Sequence, residues 1–248
     1  ATTGTITIQS GHTVTIAAAL TVNGATIVVD GVLINTAGIT QTSGSLVVNG
    51  TYEHNVNSLT IPTATWNDGS TFYMTAAITS GSTVTGGRQS FYNIVWNAPN
   101  QTANLNLRVA TAGETQTIRG NITVMSTGSG RLYLADGYGS TVNVLGNILV
   151  QGSSQFAATG SSSSKVFVNV SGNVTVEPGS VNFATTRNTG SCGTFRIGGD
   201  FSVGSGTTFA NSQTSIASGT CQIIFTGNNN HNVAVTPSTY PGATNGGV

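Results

Sequence analysis

Charged side chains are scarce in this chain: they make up 6% of its 248 residues, and the formal net charge is zero. A soluble domain normally carries about 25% charged residues. The only lysine is Lys165, and the six arginines are scattered. Nucleic acids and anionic membranes both call for clustered Lys and Arg, so we expect neither as a partner.

Long apolar runs and helical periodicity are also missing. No apolar segment approaches the roughly 20 residues of a membrane-spanning helix, so we expect no membrane insertion. Glycine is too frequent for long helices, with 33 residues. Disordered chains combine low hydrophobicity with high charge, whereas this chain is 38% hydrophobic. Apolar residues alternate with Thr in segments such as 5–8 and 13–16, which predicts half-buried strands and an all-β fold.

Cysteine is limited to Cys192 and Cys221, and the chain begins at Ala1 without a signal segment. A cleaved secretion signal would leave such a start, so we expect a secreted, extracellular protein. Counted from the glycines described below, the two cysteines occupy nearly the same position in adjacent repeats. Stacked strands would place their Cα atoms within disulfide range, which predicts a structural disulfide, with two separate buried thiols as the alternative.

A repeat of about 26 residues dominates the sequence. Four Gly-Asn/Asp pairs begin at Gly120, Gly146, Gly172 and Gly199, whose positions differ by 26, 26 and 27 in turn. The segment 20–24 matches 46–50 at the same interval, and a further step of this size leads to Phe72. We therefore predict one domain over 1–248, with N-terminal coils over 1–75, irregular coils over 76–110, regular coils over 111–235 and a tail over 236–248.

This period predicts a single-stranded parallel β-solenoid of about 26 residues per coil, with a right-handed coil. Equivalent residues would stack into ladders, with amides bonding along the axis. A propeller blade needs about 40 residues, and a β-sandwich gives no reason for a recurrent Gly-Asn pair. The predicted ladders contain the aromatic residues Phe156, Phe183 and Phe209 and the turn residues Asn121, Asn147, Asn173 and Asp200.

Several phrases resemble secreted surface proteins of the Bacteroidota, which carry long β-helical repeats. They are Asn-Gly-Thr-Tyr-Glu-His-Asn over 49–55, Ile-Pro-Thr-Ala-Thr-Trp-Asn over 61–67, Ser-Phe-Tyr-Asn-Ile-Val-Trp-Asn over 90–97, and the Gly-Asn-Ile-Thr-Val coils. The resemblance covers residues 1 to about 235. It implies an adhesin or filament component, often exported by the type IX route, and brings no catalytic residues. The chain has no recognisable C-terminal sorting domain of that route.

Catalytic, metal and cofactor sites are not expected. Glu53 and His54 are neighbours on a strand and would point to opposite faces, so we interpret them as solvated strand or turn residues rather than an acid/base pair. The seven acidic residues share no column, and Arg108 and Asp136 are predicted to form a surface ion pair. Most aromatic residues should belong to the core. The candidate ligand surface for sugar stacking consists of Trp66, Phe91, Tyr92 and Trp96.

Two functional hypotheses follow. The first is an extracellular structural or adhesive surface protein, not an enzyme, whose open ends lack a capping helix and would pair end to end into a head-to-tail homopolymer. The alternative is a carbohydrate-binding or polysaccharide-degrading β-helix module that acts on a surface polysaccharide. The second hypothesis predicts a groove with aromatic residues and convergent acids.

Overall fold

The computed structural model describes residues 4–152, 154–160, 164–179, 182–186, 192–211, 222–228 and 230–236, with the side chains of 182–186 and 208–211 outside this description. The described chain contains strands and turns without a helix, and every pairing between its strands is parallel. Successive strands return to the same few sheets, so nearly all pairing is between distant parts of the sequence. This all-β arrangement is compatible with a β-solenoid.

One sheet, here called the long sheet, runs through the whole described chain. Its ten strands, in spatial order, are β2 (Thr13–Ile16), β5 (Val32–Asn35), β8 (Thr51–His54), β10 (Thr71–Met74), β11 (Asn93–Asn97), β14 (Ile122–Ser126), β17 (Ile148–Val150), β20 (Val174–Val176), β23 (Phe201–Val203) and β26 (Val233–Val235). We define a repeat as the chain from one of these strands to the next.

Two further sheets accompany the long sheet in the first half. The four-stranded sheet contains β1 (Thr5–Ile8), β4 (Thr26–Val29), β7 (Ser45–Val48) and β9 (Thr65–Trp66). The two-stranded sheet contains β3 (Leu20–Val22) and β6 (Ile39–Gln41). Buried and part-exposed residues alternate along β4 and β7, and along the long-sheet strands β5 and β8, because β-strand side chains point to opposite faces in turn.

Two five-stranded sheets take their place in the second half. The preceding sheet, whose strands β13, β16, β19 and β22 come directly before long-sheet strands, contains β13 (Thr115–Ile118), β16 (Tyr138–Val144), β19 (Lys165–Val170), β22 (Cys192–Ile197) and β25 (Ile223–Phe225). The following sheet contains β12 (Asn104–Asn106), β15 (Arg131–Tyr133), β18 (Gln155–Thr159), β21 (Asn182–Thr186) and β24 (Thr208–Asn211).

The predicted repeat spacing holds only in the second half. Pairing in the long sheet joins Ile122 to Ile148 and Ile148 to Val174, both at an offset of 26, and Val174 to Phe201, at an offset of 27. In the first half the prediction is wrong: Leu20 pairs with Ile39, not Leu46, and the offset is 19. The first-half repeats are shorter because their strands have at most four residues, whereas strands of the second half such as β16 and β19 have seven and six.

The same correction applies to Phe72, which was expected to lie one full interval beyond Leu46. Its register partner is Tyr52 on the neighbouring long-sheet strand, at an offset of 20. Phe72 therefore belongs to the column of the long sheet, whereas Leu46 lies on β7 in the four-stranded sheet.

The interior is filled by stacked side chains from the long sheet. One column of register partners contains Leu33, Tyr52, Phe72, Ile94, Ile122, Ile148, Val174 and Phe201, all of which are buried. They belong to a single apolar cluster that extends from Ile8 to Val203. Burial of this apolar surface is the main force that holds the repeats together.

The segment 76–110, predicted to be irregular, contains only β11 and β12 as strands, besides two isolated bridges, Thr60–Thr85 and Thr83–Asn106. Two buried glutamines replace the missing ladder bonds there. The Gln89 side chain accepts from the backbone N–H of Ala64 (2.7 Å) and the indole of Trp66 (2.9 Å). Gln101 accepts from the indole of Trp96 (2.8 Å). Each amide thereby satisfies polar groups that would otherwise be buried without partners.

Candidate functional site

The predicted ligand surface is not a surface. Trp66 is 4% exposed, and Phe91 and Trp96 are fully buried. Trp66 and Phe91 pack together with ring centroids 4.8 Å apart. Only Tyr92 is part-exposed, and the guanidinium of Arg119 lies 5.4 Å from its ring centre. The proposal of sugar stacking on these four residues is therefore wrong: three of them occupy inward positions, where the apolar interior needs large side chains.

Glu53 and His54 lie on β8, where adjacent side chains point to opposite faces. Glu53 accepts a hydrogen bond from the Thr75 hydroxyl at 2.7 Å on the outer face. The expectation that His54 is solvated is wrong, because it is fully buried. In its interior column His54 lies between the buried Asn35 on one side and the apolar Met74, followed by Trp96, on the other.

His54 belongs to a buried polar chain within the first half. The Asn35 side-chain amide donates a hydrogen bond to the Tyr52 hydroxyl at 2.7 Å. The oxygen of this hydroxyl lies 3.2 Å from Nδ1 of His54. His54 Nε2 lies 2.9 Å from the Ser58 carbonyl oxygen, and we assign it as the donor. Burial raises the pKa of Tyr52 above its ordinary value, against the smaller opposing effect of the Asn35 amide. Burial also lowers the pKa of His54, and the Ser58 carbonyl opposes this in part. Both side chains are therefore neutral near pH 7.

The lowered pKa of His54 predicts a pH-dependent stability. The unfolded chain takes up a proton near pH 6.5 while the folded chain resists it, so protonation favours unfolding. The free energy of unfolding should be highest above about pH 6.5 and fall as the pH drops toward the lowered folded-state pKa. Urea unfolding between about pH 5 and 7 would measure this slope. His54→Gln should remove most of it and His12→Gln, at an exposed site, should not; an unchanged slope in His54→Gln would contradict the assignment.

The predicted amide column lies at the corner where strands of the preceding sheet lead into the long sheet. Oδ1 of Asn121 accepts the backbone N–H of Asn147 at 2.8 Å, and Asn147 does the same for Asn173. Asn173 likewise accepts the N–H of Asp200 at 2.8 Å. The column is longer than the sequence indicated. It extends to Asn93, whose Oδ1 accepts the Asn121 N–H at 2.9 Å, and to Asn232, whose N–H bonds to Asp200 at 2.8 Å.

Asp200 supplies the last side-chain acceptor of this column, and this acceptor is a carboxylate. Its pKa is lowered, first by the backbone N–H of Asn232 and next by the Asn232 side chain. Each amide or carboxylate oxygen thus satisfies a backbone N–H of the next repeat at the corner, where regular strand pairing is interrupted. The ladder is a structural device that connects repeats, and it leaves no cluster of groups for chemistry within the described residues.

The glycines of the Gly-Asn pairs make room for this ladder. A Cβ built at Gly146 would overlap Oδ1 of Asn121, and one at Gly172 would overlap Oδ1 of Asn147. A Cβ at Gly120 would likewise overlap Oδ1 of Asn93, and one at Gly199 would overlap Oδ1 of Asn173. The pair recurs because the asparagine of one repeat lies over the glycine of the next.

The predicted phenylalanine column is present in the backbone register. Phe156 pairs with Phe183, and Phe183 pairs with Phe209. Phe156 is buried in the interior, whereas the side chains of the other two lie outside the described part of the chain.

Cys192 is buried at the start of β22, and Cys221 lies outside the described residues. The disulfide between them therefore stays a prediction.

Each acidic residue accepts a hydrogen bond from a polar side chain. The predicted pair Arg108–Asp136 is confirmed, with Nε and Oδ1 3.3 Å apart. Similar pairs join Arg88 to Glu114 and Arg119 to Asp68. The pKa of Glu114 is lowered, first by the Thr111 hydroxyl and its backbone N–H, with a smaller effect of Arg88. The remaining acidic residues, Asp30, Glu53, Glu177 and Asp200, bond to Asn49, Thr75, Gln151 and Asn232 respectively.

Within the described ranges, no group of three or more His, Cys, Asp or Glu side chains is placed to hold a metal ion. The same part of the chain has no helix of the length and apolarity needed to cross a membrane.

A different surface brings exposed and part-exposed aromatic and cationic side chains together. On the outward face of the preceding sheet, the Lys165 ammonium lies 5.0 Å from the ring centre of Tyr138. Between β19 and β22 the Arg196 guanidinium lies 4.7 Å from the ring centre of Phe167. We call the outward residues of β16, β19 and β22 the cationic face. Sequence reasoning missed it because Tyr138, Phe167 and Arg196 are far apart along the chain and become neighbours only through strand register.

Comparisons of the chain with protein-family models, with curated proteins and with solved structures gave no match.

Proposed function

We propose that this protein is a right-handed β-solenoid that serves as an extracellular structural or adhesive element. The observation that carries the proposal is the long sheet, in which ten parallel strands follow one another from β2 to β26. Its interior is filled with apolar side chains and its corners are connected by amides. Such a molecule is a stiff spacer with long lateral surfaces. The low charge and the resemblance to Bacteroidota surface proteins support an extracellular location.

The N-terminal end of the stack supports end-to-end assembly. Ile6 and Val14 occupy inward columns, yet they are 60% and 43% exposed. Their register partners Ile27 and Leu33 are 5% and 2% exposed. Within the described residues β1 and β2 are the outermost strands of their sheets, and an outermost strand offers backbone groups for pairing with another chain. A second copy that added its last strands here would continue the sheet and propagate a fibre.

Light scattering and negative-stain microscopy over a range of protein concentrations test this assembly. We expect rods that lengthen with concentration, and Val14→Lys should prevent the lengthening because it places a charge in the junction. Leu145→Lys is the matched control, since Leu145 is 53% exposed on a lateral corner. Monodisperse monomers at high concentration, or equal inhibition by both substitutions, would overturn the end-to-end proposal.

A further inference from the structure

The cationic face has an ordered pattern that strand register creates. Lys165 pairs with Tyr138, and Asn169 pairs with Asn143 on one side and Arg196 on the other. Along β19 the buried residues alternate with part-exposed ones. The outward side chains of these strands therefore bring two aromatic rings, two amides and two cations together on one face of the sheet.

The charge of this face is positive, since no acidic residue occurs in β16, β19, β22 or β25. The nearest carboxylates in sequence are already engaged: Asp136 pairs with Arg108, and Asp200 bonds to Asn232. Among the described residues Arg196 has no carboxylate partner. Its guanidinium stacks on Phe167, which leaves the N–H groups at its edge available to an anion.

A groove lies beside Arg196, with a volume of about 580 Å³. Its polar lining comes from Asn169, Ser171, Arg196 and Thr226. The Asn169 amide donates to Asn143 at 2.8 Å, which holds this side chain at the wall of the groove.

We propose that the cationic face binds an acidic polysaccharide. The Arg196 guanidinium, at the wall of the groove, binds a carboxylate of a uronic acid. Tyr138, 63% exposed, offers its ring for stacking against another sugar. A polymer suits this face because Tyr138 and Arg196 lie on different strands of the same sheet, so that one chain of sugars can contact both. This inference does not depend on end-to-end assembly, since it concerns the side of the stack.

Titration calorimetry with polygalacturonate oligomers is the test, with neutral dextran oligomers as the comparison. We expect polygalacturonate to bind and dextran not to bind. Arg196→Ala should weaken binding about ten-fold, which is the loss of one charge-assisted hydrogen bond. Tyr138→Ala should weaken it less, and circular dichroism would verify that both variants fold.

Arg88→Ala is the matched control, because it removes one arginine that lies outside the cationic face and pairs with Glu114. We expect it to change the affinity less than two-fold. Equal losses for Arg88→Ala and Arg196→Ala would show attraction to charge alone and overturn the site. Equal affinity for duplex DNA would overturn the assignment to polysaccharide, and absence of binding to polygalacturonate would overturn the proposal itself.

Discussion

Replacing Gln89 by leucine should lower the free energy of unfolding by about 3 kcal/mol or more. The Gln89 amide bonds to four groups from two parts of the chain, residues 62–66 and Gly86. Its oxygen accepts from Ala64 and Trp66, and its nitrogen donates to the carbonyls of Pro62 at 3.1 Å and Gly86 at 2.6 Å. Leucine is of similar size but has no polar atoms. It would leave these groups buried without partners, each at a cost of about 1–3 kcal/mol.

Urea denaturation measures this change, with Gln9→Leu as the matched control. Gln9 is exposed, so its replacement should alter stability by less than about 0.5 kcal/mol. Gln101→Leu should behave like Gln89→Leu, because Gln101 is fully buried and bonds to Trp96 Nε1 and the carbonyls of Ala103 and Arg131. If Gln89→Leu proves as mild as Gln9→Leu, the glutamines do not hold the irregular segment.

Replacing Gly146 by alanine should destabilise the protein by about 1–3 kcal/mol, the usual cost of overpacking. The new methyl group would overlap Oδ1 of Asn121, which is fixed by its bond to the Asn147 backbone. The neighbouring Gly120 carbonyl oxygen would also lie 2.7 Å from it. The asparagine would therefore have to leave the ladder, and the Asn147 N–H would lose its partner.

A double-mutant cycle separates this clash from the general effect of replacing glycine. In an Asn121→Ala background Gly146→Ala should cost less, since the overlapping oxygen is gone. Gly4→Ala is the control at a site with no atom near the new methyl group, and it should be close to neutral. Additive effects of the two substitutions would show that asparagine and glycine are not coupled across repeats.

The strand register of the second half could be predicted from the sequence, because equivalent residues there recur at a nearly fixed interval. The Gly-Asn pairs at 120, 146 and 172 predicted the register that the strands adopt. The same reasoning failed in the first half. There the Leu-x-Val-Asn-Gly phrases at 20 and 46 are alike in composition, yet Leu20 pairs with Ile39. Short phrases rich in Thr and Val fit many registers, so a chance match at the longer interval concealed the true offset of 19.

Aromatic residues mark a second limit of sequence reasoning. Trp66 and Trp96 were both assigned to a ligand surface, and Trp96 lies in the segment that was predicted to be irregular. In the structure each indole is buried against a glutamine, and neither pairing has a recognisable sequence spacing. Conversely, each ring of the cationic face meets a cation from a different repeat, as Phe167 does with Arg196, so no local phrase in the sequence contains both partners.

Alternation in the sequence by itself determined an all-β fold, because period-two patterns indicate strands with one buried face. The recurring phrases determined that the strands of successive repeats pair in parallel. The length of each first-half repeat, the burial of the tryptophans and His54, and the assembly of the cationic face were decided only by the tertiary structure. The physical reason is that strand identity depends on local patterning, whereas register depends on how distant side chains fill one shared interior.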